Sequence, residues 1–412
     1  MDTCTSFRQG TSSIVAVVMS ILFAASAHRS VFSDDAVKTG SDGSAGVSAT
    51  AAEGGAGGDA AAGGKETWPL FRGDAHATGA AATSLPDQLE VLWRYRVEGG
   101  AFDGAAVIAE GQVFIGDLDG KLYCLDLATG APKWTKQTEY GFGTAPAYRE
   151  GRIYLGDLTG VFYCWDAQSG EERWRFTTEA EINSSPNFYR NFVLFGSQDA
   201  TLYCLRIDDG QLHWKYTIDD QIRCSPTVIG DRAFLAGCDA KLHVVDLEKG
   251  EGVGSVEIDG PTGSTPAAID DLVYFGTEGG TFYSIDWKQL KVQWLYRDPE
   301  KGPSYRSSAA IANDTVVVGS RSRRVTAFDR MTGNVRWAFT TRRGVDSSPV
   351  IAGDRVFVGS GEGRLYAINL ATGRSTWHFD AGRGLASSPA VAADRLVIAS
   401  DDGTVYCFGK KQ

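Results

Sequence analysis

A tryptophan returns along this chain at Trp93, Trp134, Trp174, Trp214, Trp294, Trp337 and Trp377, with Gly254 in the one slot that lacks it, and the intervals are 41, 40, 40, 40, 40, 43 and 40 residues. A fixed period of this length marks one supersecondary unit written repeatedly, since no such unit can bury its apolar face alone. Within an interval the order is constant, as in "SSPVIAGDRVFVGSGEGRLYAINLATGRSTW": an apolar run, a "GDR" turn, a second apolar run, a Gly-rich turn, "LYAI", a "TG" turn and the tryptophan segment. Alternating apolar residues in short runs, with turn residues between, predict strands. Four strands of about 5 residues and their turns fill about 40 residues, so each repeat is one small antiparallel sheet.

The ends decide how the sheets assemble. The eighth repeat stops at "TVYCFGKKQ", after its third strand, whereas "LEVLWRYRV", Leu89 to Val97, is a tryptophan strand with no preceding partners. Pairing that strand onto the last sheet closes a ring and removes two free edges that would otherwise invite aggregation. The expected fold is all-β: an eight-bladed propeller over residues 89–412, closed by the N-terminal strand at 89–97.

The string A/C-x-D-x-x-T-G-x-x-x-W, seen in "YCLDLATGAPKW" from Tyr123 to Trp134 and repeated in phase down the chain, resembles the tryptophan-docking motif of propellers related to pyrroloquinoline quinone (PQQ) enzymes. WD repeats share the period, but the Trp-Asp dipeptide occurs here only at Trp165-Asp166. The resemblance implies that Trp93, Trp134, Trp174, Trp214, Trp294, Trp337 and Trp377 each stack between the small first residue of their own motif and the glycine peptide of the next. Burying an indole removes roughly 150 to 250 Å² from water, on the order of 4 to 6 kcal/mol as an upper bound. Blade 4 has Gly254 in place of tryptophan and blade 5 has Leu290 in place of the facing glycine. Leu290, with Trp287, is expected to fill the vacated space.

Ahead of the repeats, Arg8, the apolar run from Ile14 to Phe23 and Ala25-Ser26-Ala27 read as a signal peptide over residues 1–27. The run is short for a bilayer core, which needs about 20 residues. Cys4 precedes it, so the reading is a soluble exported protein of the periplasm, cell envelope or extracellular space, with no transmembrane span after cleavage. Residues 28–66, rich in Gly, Ala, Ser and Asp, cannot bury enough apolar surface to order and read as a flexible tether. Residues 67–88 form a lead segment expected to pack on the propeller.

An exported chain invites a disulfide count. Cys124, Cys164, Cys204 and Cys407 all occupy the small motif position. Equivalent positions on neighbouring sheets stand about 10 Å apart, beyond the roughly 7 Å reach of a bridge. Cys224 and Cys238 flank "GDR" at 230–232 symmetrically, which leaves two readings: a cross-strand disulfide, or two small residues at a crowded inner rim.

Because strands alternate direction, the loops entering each blade share one face with the turns between second and third strands. Phe102, Phe142, Ile182, Ile222, Thr262, Tyr305, Val345 and Leu385 take one position in those loops and read as packing between blades. The next position reads Asp103, Gly143, Asn183, Arg223, Gly263, Arg306, Asp346, Ala386, a variety that suits a binding mouth. Arg306, Arg321, Arg323, Arg324, Arg342, Arg343, Arg364 and Arg383 fall on the same face of blades 6 to 8. They read either as a docking patch for an anionic partner or as a solvated surface. The net charge of −11 argues against nucleic acid as a partner.

No phosphate-cradling loop, Gly-x-Ser-x-Gly or His-Glu-x-x-His string occurs, and "DLDG" at 117–120 and "SDDG" at 400–403 lack the ligand series of a calcium loop. Asp126, Asp166, Asp246, Asp286 and Asp329 read as braces for the turns that follow them. No metal and no catalytic residue is expected. The "W-P-x-F-R-G" lead at Trp68 to Gly73 and the repeats together resemble BamB-like exported propellers. That resemblance implies a non-catalytic scaffold whose loop face binds a protein partner, with an anionic polymer or lipid headgroup as other ligands for the basic patch. Two readings compete: a PQQ-dependent quinoprotein dehydrogenase, and an extracytoplasmic ligand or polysaccharide sensor. The quinoprotein resemblance would imply PQQ over a tryptophan, an adjacent-cysteine disulfide, calcium and a catalytic aspartate. The chain has no Cys-Cys pair.

Overall fold

The computed structural model describes residues 64–298 and 304–411. The expected signal peptide and most of the expected tether therefore lie outside the described residues. Eight antiparallel four-stranded sheets follow one another around an axis, and no helix occurs among the described residues. Blade 1 is typical, with strands Val107–Ala109, Gln112–Gly116, Lys121–Asp126 and Pro132–Gln137 running from the axis outward. Short strands sit at the crowded axis and longer ones outside, as the widening of a ring requires.

Glu90–Arg96 pairs with the last strand, Thr404–Gly409, and sets Trp93 opposite Cys407. The ring is closed by the first and last strands of the repeat region. Each motif cysteine or small residue faces a tryptophan in the same way: Cys124 with Trp134, Cys164 with Trp174, Cys204 with Trp214.

The outer seams follow from that register. A Cβ on Gly130, Gly170, Gly210, Gly250, Gly333 or Gly373 would lie within 3 Å of the indole of Trp93, Trp134, Trp174, Trp214, Trp294 or Trp337 respectively. Those glycines also sit at positive φ, where a side chain is strained twice over. Each of the six indole N–H groups donates to a backbone carbonyl of the next blade, from Trp93 to Leu127 at 2.9 Å through to Trp337 to Leu370 at 2.8 Å. Trp377 meets the closing blade, whose C-terminal end carries no TG turn, and packs edge-on against Phe408 at 5.7 Å. At the seam of blades 4 and 5, Leu290 Cδ1 stands 2.4 Å from where a Gly254 Cβ would be, and Trp287 covers Phe234 at 5.4 Å. Leu290 keeps the left-handed backbone of the glycine it replaces, φ 54°.

The lead segment does more than pack on the ring: it threads the axis. The innermost strand of every blade presents a free edge there, and unpaired N–H groups cannot be buried cheaply. The segment supplies carbonyls in turn. Lys65 O accepts from Ala393 N of blade 8, Trp68 exchanges both bonds with Ile108 of blade 1, and Pro69 O accepts from Tyr148 N of blade 2. Ala75, His76, Thr78 and Gly79 carbonyls then accept from Val228, Ala268, Ile311 and Ile351 of blades 4 to 7. In blade 3 the Asn187 side chain takes over, with its Oδ1 accepting from Phe188 N while its Nδ2 donates to Ala75 O. Ala80–Ala81 finally adds a short parallel strand to blade 7. Lys65, which composition assigns to the tether, is hydrogen-bonded to the ring.

The motif Trp68 to Gly73 explains itself here. Gly73, at φ 90°, lies under the Trp68 ring, where a Cβ would be 2.7 Å from the indole. The turn aims Arg72 into the axis, 1% exposed, where its guanidinium donates to the carbonyls of Ala309, Ser348 and Pro349. Burial lowers its pKa to about 9. No helix among the described residues is long and apolar enough to cross a membrane.

Candidate functional site

The entering loops and the turns between second and third strands are stitched together on one face: Leu118 N donates to Ala101 O, Phe142 N to Asp117 O and Leu158 N to Gly141 O. The apolar loop position is fully committed to packing. A Cβ on Gly116, Gly156, Gly196, Gly276, Gly319 or Gly359 would strike Phe142, Ile182, Ile222, Tyr305, Val345 or Leu385 of the following loop. These side chains are 0 to 2% exposed and belong to the blade interfaces.

The next loop position forms the mouth. Asp103, Gly143, Asn183, Arg223, Gly263, Arg306, Asp346 and Ala386 all line one cavity of about 360 Å³ at the axis. Phe71 of the lead segment lines it from the deep side, so the threaded segment turns an open channel into a blind cup. Enclosure, with Asp401 and Asp346 nearby, raises the Asp103 carboxyl above its ordinary range. Among the described residues Asp103 has no hydrogen-bond or ion-pair partner, whereas Asp346 is held by Arg321 through two bonds of 2.9 Å.

Below this rim lies a feature the sequence reading passed over. Ser185, Ser225, Thr265, Ser308, Ser348 and Ser388 line the same cavity. Each hydroxyl oxygen accepts the backbone N–H of the preceding blade, from Ala145 N to Ser185 Oγ at 3.0 Å round to Ser348 N to Ser388 Oγ at 2.9 Å. Blades 1 and 2 carry Ala105 and Ala145 at this level, so the arc opens at blade 1. The signal was the recurrent pair of hydroxyl residues before Pro or Ala, as in Ser184-Ser185-Pro186 and Ser347-Ser348-Pro349.

The basic cluster divides. Arg321 pairs with Asp346 at 2.9 Å, Arg324 with Asp298 at 3.3 Å, Arg306 with Glu278 at 3.8 Å and Arg364 with Asp380 at 2.6 Å. For those four the solvated, paired surface is the better description. Arg323, Arg342, Arg343 and Arg383 are exposed and form no ion pair among the described residues. Across the axis the corresponding loops of blades 2 to 4 carry Glu139, Glu179, Glu181, Asp199, Asp219 and Asp220.

The disulfide reading is corrected. The turn is a two-residue one, Gly230-Asp231, pairing Ile229 with Arg232. Continued, that register sets Cys224 against Gly237 and Cys238 against Arg223, and a one-residue slip puts side chains on opposite faces. Both thiols are free, and burial raises that of Cys224 to about 12.

The acids in turns are structural. Asp117 Oδ1 accepts from Asp119 N and Lys121 N while Oδ2 accepts from Tyr123 OH at 2.7 Å, so the carboxylate braces its own turn. Tyr163 with Asp157 and Tyr203 with Asp199 repeat the arrangement. In blade 4, His243 takes the tyrosine's place, 2.8 Å from Asp239 and 3.2 Å from Tyr216 OH. It looks like a catalytic relay but fills a bracing position. Among the described residues no group of three His, Cys, Asp or Glu side chains could hold a metal ion.

A family model described as outer membrane protein assembly factor BamB matches residues 81–226 and 219–412. BamB from Moraxella catarrhalis superposes with a TM-score of 0.68 at 20% identity, over 79% of this chain and 98% of that one. Quinohemoprotein alcohol dehydrogenase from Comamonas testosteroni gives 0.71 at 13% identity, over 84% and 81%. The computationally designed Ika8 protein gives 0.69 at 17% identity, over 78% and 98%. At these identities the likeness is one of fold. No curated protein sequence matches significantly.

A quinohemoprotein dehydrogenase shares the fold, and the residues of this mouth differ from those that PQQ would require. The deep wall is Phe71, not a tryptophan, and it comes from a segment bonded to the inner strands; no cysteine or tryptophan lines the cavity. These residues do not fit the quinone set.

Proposed function

The chain belongs to the family of the outer membrane protein assembly factor BamB, and from that premise we propose that it is a non-catalytic, exported scaffold of the cell envelope that docks a protein partner on its loop face. One observation carries the reading: Arg323, Arg342, Arg343 and Arg383 stand without ion pairs on blades 6 to 8, opposite an acidic sector on blades 2 to 4. Charges more than about 8 Å apart are screened from each other at physiological salt, so the two sectors act separately and favour a partner with the opposite charges at matching positions. Such complementarity sets orientation and encounter rate more than raw affinity. The mouth between the sectors lacks the constellation that the quinone chemistry would use, which supports the binding role over the dehydrogenase one.

Chemical crosslinking of the full chain in envelope extract tests this, comparing the unchanged protein with a quadruple variant, R323E/R342E/R343E/R383E. The expected result is one major crosslinked protein, linked through loop-face residues and lost in the variant. Equal crosslinking by both, or crosslinks confined to the opposite face, would contradict it.

A further inference from the structure

The cup at the axis is a separate site from the charged rim, and its chemistry is specific. Six hydroxyls line it, and all of their residues are at least nine-tenths buried: Ser308 and Ser348 are 2% exposed, Thr265 3%, Ser185 4%, Ser388 7% and Ser225 8%. Each spends its oxygen accepting a backbone N–H. Among the described residues none has an acceptor for its own proton. Buried polar groups in a folded protein are normally satisfied by protein or by ordered water, so this arc offers its protons to oxygen acceptors in the cup, whether water or the groups of a ligand that displaces it.

The rim narrows the class. Among the described residues Asp103 offers a carboxylate with no hydrogen-bond or ion-pair partner, and Asp346 and Glu278, paired with Arg321 and Arg306, line the same wall, so the rim carries both signs and does not favour a free oxyanion. Arg223 keeps donors beyond its bonds to Gln221 Oε1 at 2.7 and 3.1 Å, and Arg306 is held only at 3.8 Å by Glu278, so a cation is equally disfavoured. What remains is a neutral molecule whose groups both donate and accept. Among the described residues Phe71 is the one aromatic that lines the cavity, a side chain of the kind that packs on the C–H face of such a molecule. A volume of about 360 Å³ lies near the lower end of small-molecule sites, roughly 300 to 1,000 Å³.

We propose that the channel mouth is a carbohydrate-binding cup that takes a neutral pyranose unit end-on, with the hydroxyl arc and Arg223 donating to sugar oxygens, Asp103 accepting from a sugar hydroxyl, and Phe71 stacking beneath. The site does not rest on the scaffold reading, and the two fail separately, because the rim arginines Arg323, Arg342, Arg343 and Arg383 do not line the cup.

The test is saturation-transfer NMR and calorimetry on the full chain with maltose, cellobiose and N,N′-diacetylchitobiose, against sodium acetate and sodium phosphate as anion probes. At least one disaccharide is expected to bind with a Kd in the millimolar range or tighter. D103A, which removes the acceptor, should weaken it about tenfold, the loss of a hydrogen bond to a charged group. A386W, which fills the mouth from the rim, should abolish it, while both variants keep the melting temperature of the unchanged protein. Binding by none of the three, binding that neither variant alters, or binding of acetate or phosphate in preference to the sugars would overturn the proposal.

Discussion

The outer belt of the propeller and its axis solve the same problem in opposite ways. At the belt six of the eight seams carry the same seal, an indole whose N–H reaches the next blade's carbonyl and whose ring lies on the next blade's glycine, while Leu290 fills the seam at Gly254 and Trp377 packs on Phe408. At the axis no blade can seal itself, because the inner strands point their free edges at empty space and not at one another. One non-repeating segment does it for all of them. A repeated sequence can therefore secure neighbours around a ring, but the centre must be closed once, and it is there that the chain departs from periodicity and builds a cup.

The contrast predicts unequal damage. Arg72→Ala should be the most disruptive single change, costing more than about 4 kcal/mol, since three buried carbonyls lose one donor together; urea unfolding would show it. Trp134→Ala, which empties one seam and orphans the Ala167 carbonyl, should cost about 3 to 5 kcal/mol by the same measurement. Leu290→Ala should cost less, about 2 kcal/mol, because Leu290 is only half-buried and makes no bond across its seam. The double change G254W/L290G rebuilds the common seam and should be more stable than either single change.

The smallest effect is electrostatic. Asp166 and Asp329 brace the turns after them, and their partners Arg173 and Arg336 hold both carboxyls down to about 2. Their unfolded value is about 3.9. Each contribution is fully present above that value and is lost as pH falls through about 2. Asp329→Asn should flatten the fall in denaturation midpoint between pH 4 and 2 and change little at pH 7.

How much of this could be read from the sequence divides along the same line. The belt could be, because phase repeats: spacing gives Trp134 and Cys124 their place in the unit, and the resemblance to the tryptophan-docking motif implies what they meet and sets Leu290 opposite Gly254 as a paired departure. The mouth was legible in part, since Asp103, Asn183, Arg223, Arg306 and Asp346 share one loop position. The path of residues 65–81 was not. It is set by hydrogen bonds from backbone N–H groups that any residue carries, so Pro69 and His76 give no sign of which strand they meet. The split of the arginines was hidden too, because it depends on side-chain reach to acids such as Asp298 and Asp380, and the free thiols of Cys224 and Cys238 turn on a single residue of register.

Amide hydrogen exchange on the full chain tests most directly that the lead segment closes the axis. The amides of Tyr148, Val228, Ala268, Ile311 and Ile351 have no partner within their own blades on that edge and are bonded to the segment. Their exchange should be as slow as that of the second strands, for example Phe114 and Phe357. Exchange as fast as that of the exposed loop around Gly382 would contradict it.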